Sequence, residues 1–129
     1  MKYLAIICMA LILTASCSKE KSPEGPSDIR IKNLTTLAFD EVSIDTSGGV
    51  NEYDAVAAGQ YSDYKRFDKA YPKAEINVMI GGESYSTGTQ NYNYQVVLGQ
   101  GKFTYEVYIS DPVNKVLSIS RVIPEAPLD

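Results

Sequence analysis

The chain has 129 residues, with 12 Lys and Arg against 16 Asp and Glu, no histidine, no tryptophan and two cysteines. A formal charge of −4 argues against nucleic acid and anionic lipid surfaces as partners. The missing histidine removes Ser-His-Asp and Cys-His catalysis, the usual zinc sets and the commonest general base at neutral pH.

At the start, Lys2 flanks an uninterrupted apolar run over residues 4–13, followed by the small residues Thr14, Ala15 and Ser16 and then Cys17. A membrane-spanning helix needs about 20 apolar residues, whereas the hydrophobic region of a secretory signal needs about 7–15 before a small-residue cleavage site. A buried N-terminal helix would show polar positions at a 3.6-residue spacing, and this run shows none. Residues 1–16 therefore read as a signal peptide.

Ala15-Ser16-Cys17 resembles the lipobox of bacterial lipoproteins, with Thr14 where an aliphatic residue is usual and Leu13 one position early. The resemblance implies cleavage before Cys17, a diacylglycerol thioether on its sulfur and a further acyl chain, such as palmitate, on its new amino group. One myristoyl-length chain holds a protein marginally, at roughly 0.8 kcal/mol per buried methylene; two or three hold it permanently. Cys8 leaves with the signal, so the mature chain has no internal disulfide.

After Cys17, residues 18–28 mix charges of both signs with two prolines and a glycine and contain no large apolar side chain. Such a segment cannot offset its ordering entropy, and 17–28 is expected to be the acylated cysteine and a flexible tether reaching at most about 35–40 Å. Ser18-Lys19-Glu20 resembles the charged signal that sends some Bacteroidota-type lipoproteins to the outer face of the outer membrane; a solubilising spacer explains the same residues.

The expected domain covers residues 29–125. Five runs alternate with period two: Ile29 and Ile31; Val42 and Ile44; Ile76, Val78 and Ile80; Phe103, Tyr105, Val107 and Ile109; Leu117 and Ile119. Strict alternation marks strands with one buried and one wet face. Weaker strands are expected at 53–56, 60–67, 83–87 and 92–98, with turns at Ser47-Gly48-Gly49, Ala58-Gly59, Gly81-Gly82, 99–101 and Asp111-Pro112. No window carries a convincing helical period, although 67–74 could form one turn before Pro72 stops it. The pattern predicts an all-β fold, an antiparallel β-sandwich of about seven to nine strands.

Residues 98–105, with Leu98, Gly101, Phe103 and Tyr105, resemble the entry to a late strand in transthyretin-like and immunoglobulin-like sandwiches, where a glycine takes positive φ and the aromatics plug the core. The whole domain is similar to small Bacteroidota-type lipoproteins of uncharacterised function. The similarity rests on Ile31-Lys32-Asn33, on Ala58-Gly59-Gln60-Tyr61-Ser62-Asp63-Tyr64 and on Gly101-Lys102-Phe103-Thr104-Tyr105. It implies fold and anchoring and brings no activity.

Catalytic patterns are sparse. Ser62 and Lys65 have Ser-x-x-Lys spacing, but in a strand-like stretch rather than at a helix start. Asp40, Glu41 and Asp45 flank one strand and Glu52 and Asp54 another; a glycosidase would need two such carboxyls about 5–9 Å apart in a cleft. There is no Asp-x-Asp-x-Asp-Gly calcium loop, and neither glycine-rich stretch opens a phosphate-cradling helix. No metal or cofactor is expected.

Tyrosine is the unusual residue. Six of the ten fall in two clusters: Tyr61, Tyr64 and Tyr71, then Tyr85, Tyr92 and Tyr94 among short hydroxyl and amide residues. That mixture suits paratope-like contacts and sugar stacking, while tyrosine also has high β propensity and often covers a core edge. If the cluster recognises a ligand, Tyr85, Asn91, Tyr92, Asn93 and Tyr94 are the expected contacts. The sequence thus points to a non-enzymatic lipoprotein in the cell envelope, held to the outer membrane through lipid and offering a β-domain to a protein or glycan partner. The alternative is a small Asp/Glu-dependent glycan hydrolase.

Overall fold

The computed structural model describes residues 23–129. The signal peptide, Cys17 and the tether through Ser22 lie outside the described residues.

Eight strands follow in chain order: β1 Ser27–Asn33, β2 Glu41–Asp45, β3 Val50–Tyr53, β4 Lys65–Phe67, β5 Glu75–Ile80, β6 Glu83–Ser86, β7 Gly101–Asp111 and β8 Val116–Ala126. The five period-two runs all become strands because their apolar phase reaches one core: Ile29, Ile31, Val42, Ile44, Ile76, Val78, Tyr105, Val107 and Leu117 are buried together. Phe39, Val56, Phe67, Ala70 and Ala74 reach the same core from the connections and short strands.

The strands form one hydrogen-bonded sheet in the order β3-β2-β5-β6-β8-β7-β1-β4. Its two four-stranded halves join where Ser86 of β6 meets Val116 of β8. At the outer edges Asn51 Nδ2 donates to the Arg66 carbonyl at 2.8 Å, and the Asp68 N–H donates to the Gly48 carbonyl at 2.9 Å. The sheet therefore curls almost into a barrel around the core.

The all-β class and the strand number match expectation; the pairing does not. β1 runs parallel to β7 over seven residue pairs and β6 runs parallel to β8, so the sheet is mixed rather than antiparallel. Alternation reports which face is buried, and parallel and antiparallel neighbours bury the same face. The weaker expectations fare unevenly. Residues 83–87 hold β6 and 60–67 hold β4 in their last three positions, whereas the strand expected at 53–56 ends at Tyr53 and 92–98 is a loop. Residues 67–74 form no helical turn.

The tether boundary also moves. Ser27 is fully buried, with its hydroxyl donating to the Gly99 carbonyl at 2.6 Å, and Asp28 pairs with Arg66 at 2.7 Å. A Cβ on Gly25 would overlap the Asp68 carbonyl. Small polar residues at a strand start look like linker by composition, but here they are strand and the packed domain begins by Gly25. At the other end β8 continues to Ala126, and Lys102 pairs with Asp129 at 2.7 Å.

This arrangement defines two poles. At the entry pole lie the incoming chain, the start of β7, the β2–β3 turn and residues 68–74, tied together by Ser27–Gly99, Asp68–Gly48 and the Thr46 hydroxyl donating to the Lys69 carbonyl at 2.8 Å. The far pole carries the Gly81-Gly82 hairpin and the β7–β8 turn around Val113.

Candidate functional site

The tyrosine-rich segment separates by burial. Tyr85 stands opposite Val78 in the β5–β6 pair and is 9% exposed, so the pleat carries its ring into the core. That corrects its assignment as a ligand contact. Tyr92 is half-buried, its ring 4.9 Å from that of Tyr71 and its hydroxyl donating to the Asp45 carbonyl at 3.2 Å. Burial, reinforced by the Asp45 and Glu75 carboxylates, pushes its phenol up to about 12. Tyr92 thus fastens the loop over residues 87–100.

Other bonds keep that loop in shape. The Leu98 N–H donates to the Ala70 carbonyl at 2.8 Å, Gln95 Nε2 donates to the Asn91 carbonyl at 2.9 Å, and Gln95 Oε1 accepts the Lys73 N–H at 3.2 Å. The Asn91 side chain accepts the Asn93 N–H at 3.0 Å, an Asx turn. The result is a pinned loop that leaves Asn91, Asn93 and Tyr94 at the surface, Tyr94 at 94% and Val96 at 79% exposure. Three of the five expected contacts therefore share one surface. Sequence reasoning did not single out Val96, since an apolar residue in a strand-like run reads as core.

The first tyrosine cluster does other work. The Arg30 guanidinium sits 4.0 Å from the Tyr61 ring centre and 4.8 Å from that of Tyr64, while its Nε donates to Thr104 Oγ1 at 2.9 Å and it pairs with Glu125 at 3.2 Å. This stack covers the outer face of β1 and β7 and leaves Thr104 1% exposed. Ser62, the serine of the Ser-x-x-Lys pair, accepts the Ile31 N–H and donates to the Asp63 carbonyl, so its hydroxyl braces the β1 edge.

Four of the candidate acids, Asp40, Glu41, Glu52 and Asp54, line an open groove of about 650 Å³ across the outer face of β2, β3 and β5 toward the far pole. All four are solvent-exposed, and Asp40 accepts the Gly81 N–H at 2.9 Å. Asp45 lies outside the groove lining, at the entry end of β2. Among the described residues no three acidic side chains gather closely enough to hold a metal ion.

No protein-family model matches the chain, and no curated protein matches it. A solved NMR structure of a protein from Eubacterium rectale superposes with a TM-score of 0.54 at 11% identity, covering 80% of this chain and 96% of that one. At that identity the likeness concerns the fold.

Proposed function

We propose that the protein is a lipoprotein of the small Bacteroidota type, acylated at Cys17, that holds a non-catalytic β-sandwich at the outer membrane as a binding or structural module of the cell envelope. The observation that carries this reading is the apolar run over residues 4–13 closed by Ala15-Ser16-Cys17. The two four-stranded halves around one core support an immunoglobulin-like or transthyretin-like sandwich. The mechanism is passive: lipid fixes the location, the tether sets the reach, and exposed loops or a sheet edge meet a protein or glycan partner.

Protease shaving of intact cells tests this, with Cys17→Ala as the unanchored control. Cleavage from intact cells places the domain on the surface, and cleavage only after the outer membrane is opened places it in the periplasm. A wild-type protein that behaves like the Cys17→Ala control and carries no lipid by mass spectrometry sinks the reading.

The acid-lined groove favours a second reading, the Asp/Glu-dependent glycan hydrolase. It requires that the protein degrade peptidoglycan or surface polysaccharide and that Glu52→Gln or Asp54→Asn abolish turnover. Absent turnover by the wild type removes it.

A further inference from the structure

Three surface features offer a place for a ligand or partner: the acid-lined groove, an apolar groove beside β8, and the exposed end of the Tyr94 loop. Acidity alone does not define a ligand, and nothing seats an occupant in the groove formed by Pro72, Leu98, Phe103 and Val122. The Tyr94 loop differs because its place relative to the incoming chain is known.

We propose that the entry pole rests on the bilayer surface, with Tyr94 and Val96 seated in the interfacial layer of uncharged headgroups, so that the lipid itself is the partner of this loop. The inference rests on the lipoprotein reading. Both ends of the loop are fixed at the entry pole, through Tyr92 to Asp45 and through Leu98 to Ala70. The incoming chain passes the same place, since a Cβ on Gly99 would lie 3.6 Å from the Pro23 carbonyl oxygen.

With the chain packed from Gly25, residues 18–24 alone separate the acylated cysteine from the domain. Seven residues span at most about 25 Å and on average about 15 Å. A large apolar side chain and a fully exposed tyrosine on that pole are therefore held within reach of the headgroups. Tyrosine is the residue type that settles there, its ring in the apolar layer and its hydroxyl in water.

Charge selects the same orientation. At the entry pole Lys69 and Lys73 stand among Glu24, Asp45, Asp68 and Glu75, whereas the groove toward the far pole is lined by Asp40, Glu41, Glu52 and Asp54 with no basic residue. An anionic surface potential therefore repels the groove, where no base offsets the acids, more than the entry pole, where two lysines offset half of them. The acidic end then points away from the membrane, where a soluble partner would meet it.

The chain contains no tryptophan, so a single introduced one reports alone. Full-length acylated protein carrying Tyr94→Trp is reconstituted in phosphatidylcholine vesicles containing brominated phosphatidylcholine, and Val113→Trp on the far-pole turn, 85% exposed in the wild type, is the comparison. The two positions are separated by roughly the length of β7, about 30 Å. Contact predicts blue-shifted emission at position 94 and quenching at least about threefold stronger than at 113, unaffected by 0.5 M salt because the contact is apolar (~4 Å Debye length).

Equal quenching at both positions, or none at 94 in protein that floats with the vesicles, overturns the contact and leaves the anchor standing. Native protein that lacks acylation and fails to float overturns the anchor and the contact together.

Discussion

Buried Asn33 gives its side-chain amide to the carbonyls of Leu37 at 2.7 Å and Val56 at 3.1 Å, and its oxygen accepts both the N–H and the hydroxyl of Thr35. One residue at the end of β1 thereby pins the following loop to Val56, which forms an isolated antiparallel bridge with Phe39. Asn33→Ala removes that partner from the buried Val56 carbonyl and from the part-buried Leu37 carbonyl, and a loss of about 1–3 kcal/mol is expected in urea unfolding; an unchanged midpoint would mean that water replaces the amide. The tyrosines supply a second prediction. Burial raises the phenols of Tyr53, whose hydroxyl donates to the Ile29 carbonyl, and of Tyr105, whose hydroxyl donates to Tyr71, while Tyr92 reaches about 12. An unfolded tyrosine ionises near 10. Each raised phenol therefore contributes stability that is complete below pH about 10 and is lost as the pH climbs through the folded values. The urea midpoint should be flat through neutral pH and fall above pH about 10, with a shallower fall in Tyr92→Phe. At this scale the sequence was only partly legible: Tyr85 and Tyr94 look alike in composition, but the phase of β6 sends Tyr85 inward while Tyr94 stands out on the loop that follows.

At the scale of elements, legibility followed alternation. β1, β2, β5, β7 and β8 announce themselves because their apolar residues recur with period two, at two positions in β1, β2 and β8, three in β5 and four in β7. β3 and β4 do not, since Val50 is exposed at 63% and β4 has three residues with Phe67 alone buried. Such short edges are set by what they pair with. The Gly81-Gly82 hairpin was readable because both glycines sit at positive φ, 56° and 81°, as a primed two-residue turn requires. Nothing lies within 4 Å of a Cβ at Gly82, so Gly82→Ala costs backbone strain alone, about 1 kcal/mol. At Gly48 a Cβ meets the Lys69 backbone, including its nitrogen at 2.7 Å, so Gly48→Ala must part the β2–β3 turn from the end of β4. It should destabilise more than Gly82→Ala and speed amide exchange at Asp68, whose N–H donates to Gly48. Equal effects of the two substitutions would mean that the turn yields without disturbing β4.

For the whole molecule, the period of the sequence gives the faces of the strands but not their neighbours. β1 lies between β4 and β7, so residues 27–33 complete their pairing only with residues 101–107 from the far side of the chain. Contacts so distant in sequence must close a long loop before they stabilise anything. Refolding is accordingly expected in milliseconds to seconds, slower than a helical domain of the same length, by stopped-flow dilution from urea. Removing residues 116–129 strips β8 from the full length of β7 and opens the core where Leu117 and Ile119 sat; the truncated chain should show no cooperative unfolding transition, and a retained transition would place the folding unit in the other strands.

The parallel pairing of β1 with β7 also has a mechanical meaning. Any pull delivered through the residues preceding Ser27 acts along the axis of β1, away from its direction of travel. The rungs of the seven-residue ladder to β7 then share the load in shear, where an end-on hairpin would open one bond at a time. β4 grips the other side of the same strand at Ser27, Asp28 and Ile29, with the Asp28–Arg66 pair across it. The point where the chain enters is thus where the domain best resists being drawn apart by force.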